Sequence, residues 1–144
     1  MVEFRLVYQV GATVWREIVL LNLLYVGLGG FIGASLRYAT GLFVGRFTTG
    51  AQFPYGTFVV NMVGCLLIGF IAGLTDSRQL LNDTSRAFVF TGMLGAFTTF
   101  STFSYETMGL FQNGQTSPAL TNLVAQIILG LLAVWGGIQL SKLF

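Results

Sequence analysis

Hydroxyl and phenyl side chains crowd into residues 95–103, GAFTTFSTF, inside a long apolar stretch. Thr and Phe are mediocre helix formers and Gly is a poor one, so the segment predicts a break in the helix that would otherwise run through it. If the apolar stretch lies in a membrane, non-helical backbone is tolerated there only where it is buried in protein or lines a cavity. Carbonyl groups freed at such a break could hold a small cation. The alternative is a bent helix whose hydroxyls bond to neighbouring helices.

Two phenyl rings of this segment could meet an anion. Phe100 and Phe103 are three residues apart and therefore share one face of a helix. An aromatic ring has a positive edge and a negative face, so ring edges can face an anion without a cationic side chain nearby. Ordinary lipid-facing or core phenylalanines are the alternative interpretation.

Polar side chains elsewhere in the apolar stretches could extend this site into a polar track. Asn61 lies inside the second stretch, where an amide needs a partner, and it could donate to an anion or clamp two helices. Asn122 and Gln126 are one helical turn apart in the fourth stretch. With Ser101 and Thr102 they predict a path of neutral hydrogen-bonding groups.

Two charged residues accompany these groups. Arg37 lies within the first stretch, where a charge is rare and usually functional, although an arginine near a helix end can extend to the interface. It could attract anions or bind carbonyl groups at a helix end. Glu106 follows Phe103 by three residues, and it lies either in a vestibule for anions or at the end of the dry region.

Four long apolar stretches must position all of these residues. The chain is 54% hydrophobic and 8% charged, whereas soluble domains carry about 25% charged residues, so the bilayer is its natural solvent. A helix of about 20 apolar residues spans the hydrocarbon core and satisfies its own backbone groups there. We therefore predict an all-α integral membrane protein with four transmembrane helices at residues 18–45, 55–75, 86–111 and 119–142.

Residues 1–17 precede the membrane domain, which we assign to residues 18–144. They carry four charged residues and lack the pattern of a cleaved signal peptide. We interpret them as an N-terminal extension, with a short interfacial helix as one hypothesis. Basic residues are scattered along the chain, so the positive-inside rule gives no clear orientation.

Glycines recur at helical spacing and predict close packing between helices. The residues concerned lie four or eight positions apart on the first helix and four apart on the second: Gly29, Gly33, Gly41, Gly45, Gly69 and Gly73. Four helices of this length cannot easily enclose a wide aqueous pore alone. A small membrane protein with a polar face therefore suggests an oligomer.

Several classes of function lack the residues they need. The chain has no His, and its single Cys65 lies in an apolar run, so neither a zinc or haem site nor an enzymatic nucleophile–base pair is indicated. The sequence has no stripe of basic residues, so a nucleic acid partner is not indicated. Two membrane alternatives stay open. One is a small dual-topology proton-coupled multidrug exporter, which needs a carboxylate that residues 18–36 lack, and the other is a non-transporting membrane assembly protein.

Three ordered motifs resemble those of one known family. The first is GGFIGASLRY at residues 29–38, the second is YGTFVVN at residues 55–61 followed by Gly64, and the third is GAFTTFSTF followed by Glu106. Together they resemble the GGxxGAxxRY, GTxxVNxxG and GGxTTFSTFSxE motifs of the Fluc (CrcB) fluoride-channel family. The resemblance covers residues 24–144.

The resemblance implies both a function and a site. It implies an antiparallel dual-topology homodimer in the bacterial inner membrane, with two pores that passively export toxic cytoplasmic fluoride. Phe100 and Phe103 would contact fluoride through their ring edges, and Asn61 would line the pore. Gly95 and Thr98 would hold a central structural Na⁺ through backbone carbonyls from both subunits. The other residues assigned to the pore or its entrance are Arg37, Ser101, Thr102, Glu106, Asn122 and Gln126.

Overall fold

The computed structural model describes residues 2–78 and 81–144, and the side chains of residues 15–76, 78 and 81–144. All regular secondary structure in that part of the chain is helical. Four of its segments are long and apolar enough to cross a membrane: Trp15–Phe47, Tyr55–Asp76, Asp83–Gln112 and Thr116–Ser141. The prediction of an all-α protein with four transmembrane helices is therefore confirmed.

The first helix is longer than a membrane span. Helix α1 (Val2–Phe47) has 46 residues, whereas about 20 suffice to cross the hydrocarbon core. No proline interrupts residues 2–47, so nothing in the sequence forces the helix to end before the membrane domain begins. The predicted extension at residues 1–17 thus continues into α1, although Met1 lies outside the described residues. Its interfacial location stays a prediction.

Two continuous helices, α2 (Tyr55–Arg78) and α6 (Thr116–Ser141), pack against each other more extensively than any other pair. Glycines on α2 allow this approach. A methyl group built on Gly69 would collide with the backbone of α6, and one on Gly73 would collide with the Ser141 side chain. The packing role predicted for these two glycines is confirmed.

The third span is interrupted. It consists in order of α3 (Asp83–Arg86), a π-helical segment (Ala87–Leu94), α4 (Gly95–Phe97), an extended break at residues 98–99 and α5 (Phe100–Gln112). The predicted break in the third helix is confirmed. The π-helical segment is not apparent from the sequence; such segments are rare and are frequently found at functional sites.

Helix α1 packs against the π-helical segment through glycine. A methyl group built on Gly29 would lie 2.5 Å from the Phe88 carbonyl oxygen, and one on Gly92 would lie 2.7 Å from a carbonyl oxygen of α1. Only glycine therefore fits at these two positions. Gly41 and Gly45 differ, because no described atom lies within 4 Å of a methyl group built at either position.

Burial is inverted relative to a soluble protein. Large apolar side chains such as Leu131 and Trp135 are exposed, because lipid solvates them as well as a protein core would. The buried polar side chains are, among the described residues, as numerous as the buried apolar ones: Thr75, Thr99, Thr107, Asn122, Gln126 and Ser141. These six polar side chains therefore lie inside the bundle, where polar groups in a bilayer find their partners, whereas Ser101 and Thr102 are exposed.

Candidate functional site

The break in the third span is built on the side chain of Asn61. Its Oδ1 accepts a hydrogen bond from the backbone N–H of Thr99 at 2.8 Å, and its Nδ2 donates to the Thr99 carbonyl at 3.1 Å. Thr98 and Thr99 are extended, with ψ of 160° and 115°. The amide thus replaces the helical partners that Thr99 would otherwise have. Helix α2 therefore stabilises the break.

Thr99 also begins the helix that follows the break. Its Oγ1 accepts a hydrogen bond from the Thr102 N–H at 3.2 Å, which makes Thr99 the N-cap of α5. The same hydroxyl donates to Thr102 Oγ1 at 3.0 Å and lies 3.3 Å from Ser101 Oγ. The crowding of hydroxyls in the sequence therefore reappears as a hydrogen-bonded cluster at the start of α5.

The backbone carbonyls of Gly95 and Thr98 are among those that lose their helical donors at the break. In an uninterrupted α-helix the carbonyls of Gly95 and Thr98 would accept hydrogen bonds from the N–H groups of Thr99 and Thr102. Those N–H groups donate instead to Asn61 Oδ1 and Thr99 Oγ1. Free backbone carbonyls are ligands for Na⁺ at broken membrane helices. The chemistry of Gly95 and Thr98 thus fits the predicted sodium site.

One side of the break faces a groove of about 300 Å³, here named the phenyl groove. Phe103 is buried and Phe100 is 78% exposed, and their ring centroids lie 5.5 Å apart with an interplanar angle of 62°. None of the described residues that line the groove carries a carboxylate, ammonium or guanidinium group: Asn61, Met62, Gly64, Cys65, Ile68, Leu94, Gly95, Thr98, Thr99, Phe100, Phe103, Gln126 and Ile127. The groove is therefore lined by neutral groups, among them phenyl rings, hydroxyls and side-chain amides.

Amide side chains of α6 form two short hydrogen-bonded chains behind the rings. Gln126 Oε1 accepts from Asn61 Nδ2 at 3.2 Å. Asn122 Nδ2 donates to Thr107 Oγ1 at 2.9 Å, and that hydroxyl donates to the Phe103 carbonyl at 2.7 Å. Gln126 Nε2 and Asn122 Oδ1 are buried without a partner among the described residues. Each series of hydrogen bonds therefore ends in a polar atom that has no hydrogen-bond partner among the described residues.

The other side of Thr99 faces a cavity of about 470 Å³, here named the Arg37–Glu106 cavity. Thr57 Oγ1 donates to Glu106 Oε1 at 2.8 Å, while Glu106 Oε2 is buried without a partner in the described chain. Arg37 forms no ion pair with any described residue. The remaining lining residues are Ala34, Tyr38, Gly41, Leu42, Gly56, Val60, Thr99 and Thr102. A guanidinium and a carboxylate thus share one cavity.

The pore residues predicted from the sequence divide between these two spaces. The phenyl groove contains Asn61, Phe100, Phe103 and Gln126, and the Arg37–Glu106 cavity contains Arg37, Thr102 and Glu106. Ser101 and Asn122 line neither space, although Ser101 belongs to the hydroxyl cluster and Asn122 is hydrogen-bonded behind the rings. The conducting role of all these residues stays a prediction.

Two residues of the site were not predicted from the sequence. Thr99 joins both spaces and caps α5, and Thr57 holds the Glu106 carboxylate. A signal existed for each. Thr57 lies one helical turn before Asn61 on α2, and Thr99 is the second threonine of the GAFTTFSTF segment.

Comparison with known proteins decides the family. Residues 24–138 match the family model described as CrcB-like protein, Camphor Resistance (CrcB). This chain belongs to the CrcB family. A CrcB relative from Chloroflexus aurantiacus, named fluoride-specific ion channel FluC, is 44% identical over 123 residues, which are 85% of this chain and 97% of the relative.

Further CrcB relatives agree with this assignment. The protein of the same name from Clostridium perfringens is 43% identical over 124 residues, 86% of this chain and 96% of the relative. That from Opitutus terrae is 47% identical over 117 residues, 79% of this chain and 87% of the relative. The resemblance identified from the sequence motifs is confirmed. With four candidate spans, this CrcB chain is a multi-pass membrane protein.

Proposed function

We propose that this protein is a fluoride-selective passive ion channel. The observation that carries the proposal is the phenyl groove, where two phenyl rings and neutral donors meet at a broken transmembrane helix with no charged lining residue among those described. Relatives that share most of the chain are named fluoride-specific ion channels. The protein is accordingly a transport protein and not an enzyme.

The chemistry of the groove suits a small, strongly hydrated anion. A channel must replace the water that the ion loses without holding the ion too tightly. A hydrogen bond to a charged group contributes about 1.5–3 kcal/mol net, so several such contacts would replace the lost water in small steps. A full positive charge in the same low-dielectric groove would bind the anion far more strongly and slow its exit.

The Arg37–Glu106 cavity is the proposed entrance. The Arg37 guanidinium attracts anions from water, and the neighbouring Glu106 carboxylate keeps the total charge of the cavity near zero. Thr99 lines both the cavity and the groove, and its hydroxyl contacts those of Ser101 and Thr102. A continuous set of hydroxyls would thus accompany fluoride from the entrance to the phenyl rings.

The proposed functional unit is an antiparallel dual-topology homodimer with two pores. The exposure of Phe100 favours the presence of a second subunit. This residue lines the groove, yet it is 78% exposed in the single chain. A pore wall must be closed to lipid, since an ion path open to hydrocarbon would be costly. A second copy of the chain, packed over α5, would cover the Phe100 ring and close the groove.

A central structural Na⁺ completes the proposed dimer. The Gly95 and Thr98 carbonyls of both subunits would hold it, because neither carbonyl retains its helical donor. A bound Na⁺ supplies positive potential near the anion path without lining it. Asn61 contributes indirectly, since its bonds to Thr99 keep the break open.

The proposed physiological role is export of toxic cytoplasmic fluoride across the bacterial inner membrane. A passive pore lets the ion follow its electrochemical gradient. A negative cell interior drives an anion outward with about 2.3 kcal/mol per charge for each 100 mV. No chemical energy source is then needed to keep cytoplasmic fluoride low.

Efflux from liposomes tests the proposed function. Vesicles containing the purified protein are loaded with potassium fluoride or potassium chloride, and efflux is started with a potassium ionophore and followed with an ion-selective electrode. We expect fluoride to leave rapidly and chloride to leave no faster than from protein-free vesicles. Equal rates for both anions would contradict fluoride selectivity. Proton-coupled drug transport without fluoride efflux would support the exporter, and no transport at all would support an assembly protein.

A further inference from the structure

Helix α5 is separated from the helix that precedes it. Because the backbone at residues 98–99 is extended, no continuous run of helical hydrogen bonds sets the rotation of α5 about its own axis. That rotation decides where the Phe100 and Phe103 rings point. Successive residues lie about 100° apart around a helix, so a rotation by one position would turn both rings away from the groove. Contacts with neighbouring helices must therefore set it.

A hydrogen bond between side chains joins α5 to α6, here named the Asn122–Thr107 link. Thr107 Oγ1 lies 2.7 Å from the Phe103 carbonyl oxygen, which can only accept, so the single hydroxyl hydrogen of Thr107 is used there. The Asn122 atom 2.9 Å from the same hydroxyl must then be the amide nitrogen. The direction of donation is thus fixed, from Asn122 to Thr107 and from Thr107 to Phe103.

The link lies on the face of α5 that carries Phe103. Thr107 follows Phe103 by one helical turn, so the two buried side chains share a face. Asn122 is fully buried and lines neither the phenyl groove nor the Arg37–Glu106 cavity. Gln126, one turn further along α6, lines the groove together with Phe103. The link therefore holds α6 against the ring-bearing face of α5 from outside the groove.

A second helix contacts α5 at the neighbouring residue. Thr57 of α2 donates to Glu106 Oε1 at 2.8 Å. Because Glu106 and Thr107 are consecutive, their side chains leave α5 in directions about 100° apart. Bonds in two directions fix the rotation of a helix, whereas one bond alone lets the helix pivot. The Asn122–Thr107 link supplies the direction that the bond from Thr57 lacks.

We propose that Asn122 and Thr107 are positioning residues that set the rotation of α5 and thereby direct the Phe100 and Phe103 rings toward the phenyl groove. Asn122 acts through Thr107 and does not contact the ion. Without the link, α5 would pivot about the bond between Thr57 and Glu106, and the rings would leave the groove for part of the time. The effect on flux rests on the proposed function, whereas the effect on the rings does not.

Two single substitutions and their combination test the link. Thr107→Val keeps the shape of the side chain but removes the hydroxyl, and Asn122→Leu removes the amide. We expect each to lower fluoride efflux from liposomes about three- to tenfold, and the double variant to lower it no further, because both substitutions break the same bond. Thr107→Ser keeps the hydroxyl and should conduct like the wild type.

The melting temperature separates positioning from stability. Removing one partner of a buried hydrogen bond leaves the other unsatisfied, whereas replacing both by apolar groups of similar shape can be nearly neutral. We therefore expect Thr107→Val to melt below the wild type and the double variant to regain most of that loss. Efflux through the double variant should nevertheless stay low. A purely structural role would make efflux recover together with the melting temperature.

NMR signals of the phenyl rings report their position directly. Full-length protein is prepared with ¹³C-labelled Phe, and the Phe100 and Phe103 signals are assigned by their loss in Phe100→Ile and Phe103→Ile. We expect both signals to shift or broaden in Thr107→Val and in the double variant, and to stay in place in Thr107→Ser. Because this measurement needs no ion, it tests the link independently of the proposed function.

Thr75→Val is the matched control. Thr75 is also a buried threonine, and its hydroxyl donates to the Ile71 carbonyl one turn earlier on its own helix at 2.8 Å, as that of Thr107 does to Phe103. Thr75 lies outside both the phenyl groove and the Arg37–Glu106 cavity. We expect Thr75→Val to leave efflux and both ring signals unchanged.

Specific outcomes would overturn the inference alone, in a preparation whose wild type conducts fluoride selectively. They are undiminished efflux in both single variants, recovery of efflux with the melting temperature in the double variant, ring signals that do not move, or an equal loss of efflux in Thr75→Val. If Thr107→Val does not fold, the double variant decides. A wild type without selective efflux would instead overturn the proposed function, and the ring signals would still test the link.

Discussion

The phenyl groove and the Arg37–Glu106 cavity meet at Thr99 but offer an ion different chemistry. The groove has rings, amides and hydroxyls, whereas the cavity contains a guanidinium and a carboxylate. Charges attract an ion over a distance while water is still present, and neutral contacts replace its water without trapping it. Under the proposed function, attraction and dehydration of the ion would take place on opposite sides of one helix break.

Different helices build the two spaces. Helices α2 and α6 complete the phenyl groove through Asn61 and Gln126, while α1 and α2 complete the Arg37–Glu106 cavity through Arg37 and Thr57. Only α2 and the third span contribute to both. The groove can therefore be altered from α6, and the cavity from α1, without a direct change in the other space.

Loss of a phenyl ring should have the largest effect and would test the groove side of the comparison. We expect Phe100→Ile or Phe103→Ile to reduce fluoride efflux by about ten- to a hundredfold, because isoleucine fills space but has no positive ring edge. The dimer should stay intact, as checked by size-exclusion chromatography. Efflux is measured from liposomes as for the wild type.

An exposed phenylalanine outside both spaces provides the control. Phe47 is 74% exposed at the end of α1, close to the 78% of Phe100. Phe47→Ile should conduct normally. Wild-type efflux in both Phe100→Ile and Phe103→Ile would show that the ring edges do not contact the ion. The two phenyl rings would then have only a packing role.

Removal of sodium should have an intermediate effect, because the ion is proposed to hold the break that separates the two spaces. Replacing Na⁺ by N-methylglucamine should lower efflux about five- to tenfold or lower the melting temperature of the dimer by several degrees, as expected for loss of a ligand that binds only the assembled state. Li⁺ or K⁺ in place of Na⁺ would measure ion selectivity. Indifference of both efflux and melting to Na⁺ would contradict the assignment of Gly95 and Thr98.

Neutralising the entrance should have the smallest effect. We expect Arg37→Gln to reduce efflux about threefold at low ionic strength and less at high ionic strength, because salt screens long-range attraction. Arg46→Gln, on the same helix but outside the Arg37–Glu106 cavity, is the control. An Arg37→Gln effect as large as that of the phenyl substitutions, or one independent of salt, would mean that Arg37 acts at short range and that the two spaces do not divide their roles.

Much of the fold could be predicted from hydropathy, whereas its irregular segments could be predicted only in part. Helix α6 begins at Thr116 and the prediction placed its start at residue 119, within one turn. The break at residues 98–99 was predicted because its residues are poor helix formers crowded together. The π-helical segment Ala87–Leu94 has no comparable composition. It lies against α1 through Gly29 and Gly92, and that contact depends on two helices distant in sequence.

The site was predicted as a set of residues but not as an arrangement. Asn61 was expected to line a pore or to clamp helices, and the structure engages its amide with Thr99 and Gln126. Thr57 was not considered, although it donates to Glu106. Hydrogen-bond partners 38 to 65 residues apart along the chain leave no local pattern from which a pairing can be deduced.

The sequence by itself determined that this chain lies in a membrane, that it has four spans and that the third is interrupted, because hydrophobic length and helix propensity are local properties. Only the tertiary structure decided which partners the buried polar groups have. Asn61 and Gln126 carry the same functional group, and only their neighbours distinguish them. The physical reason is that an amide has a limited number of hydrogens, and packing determines where each of them is used.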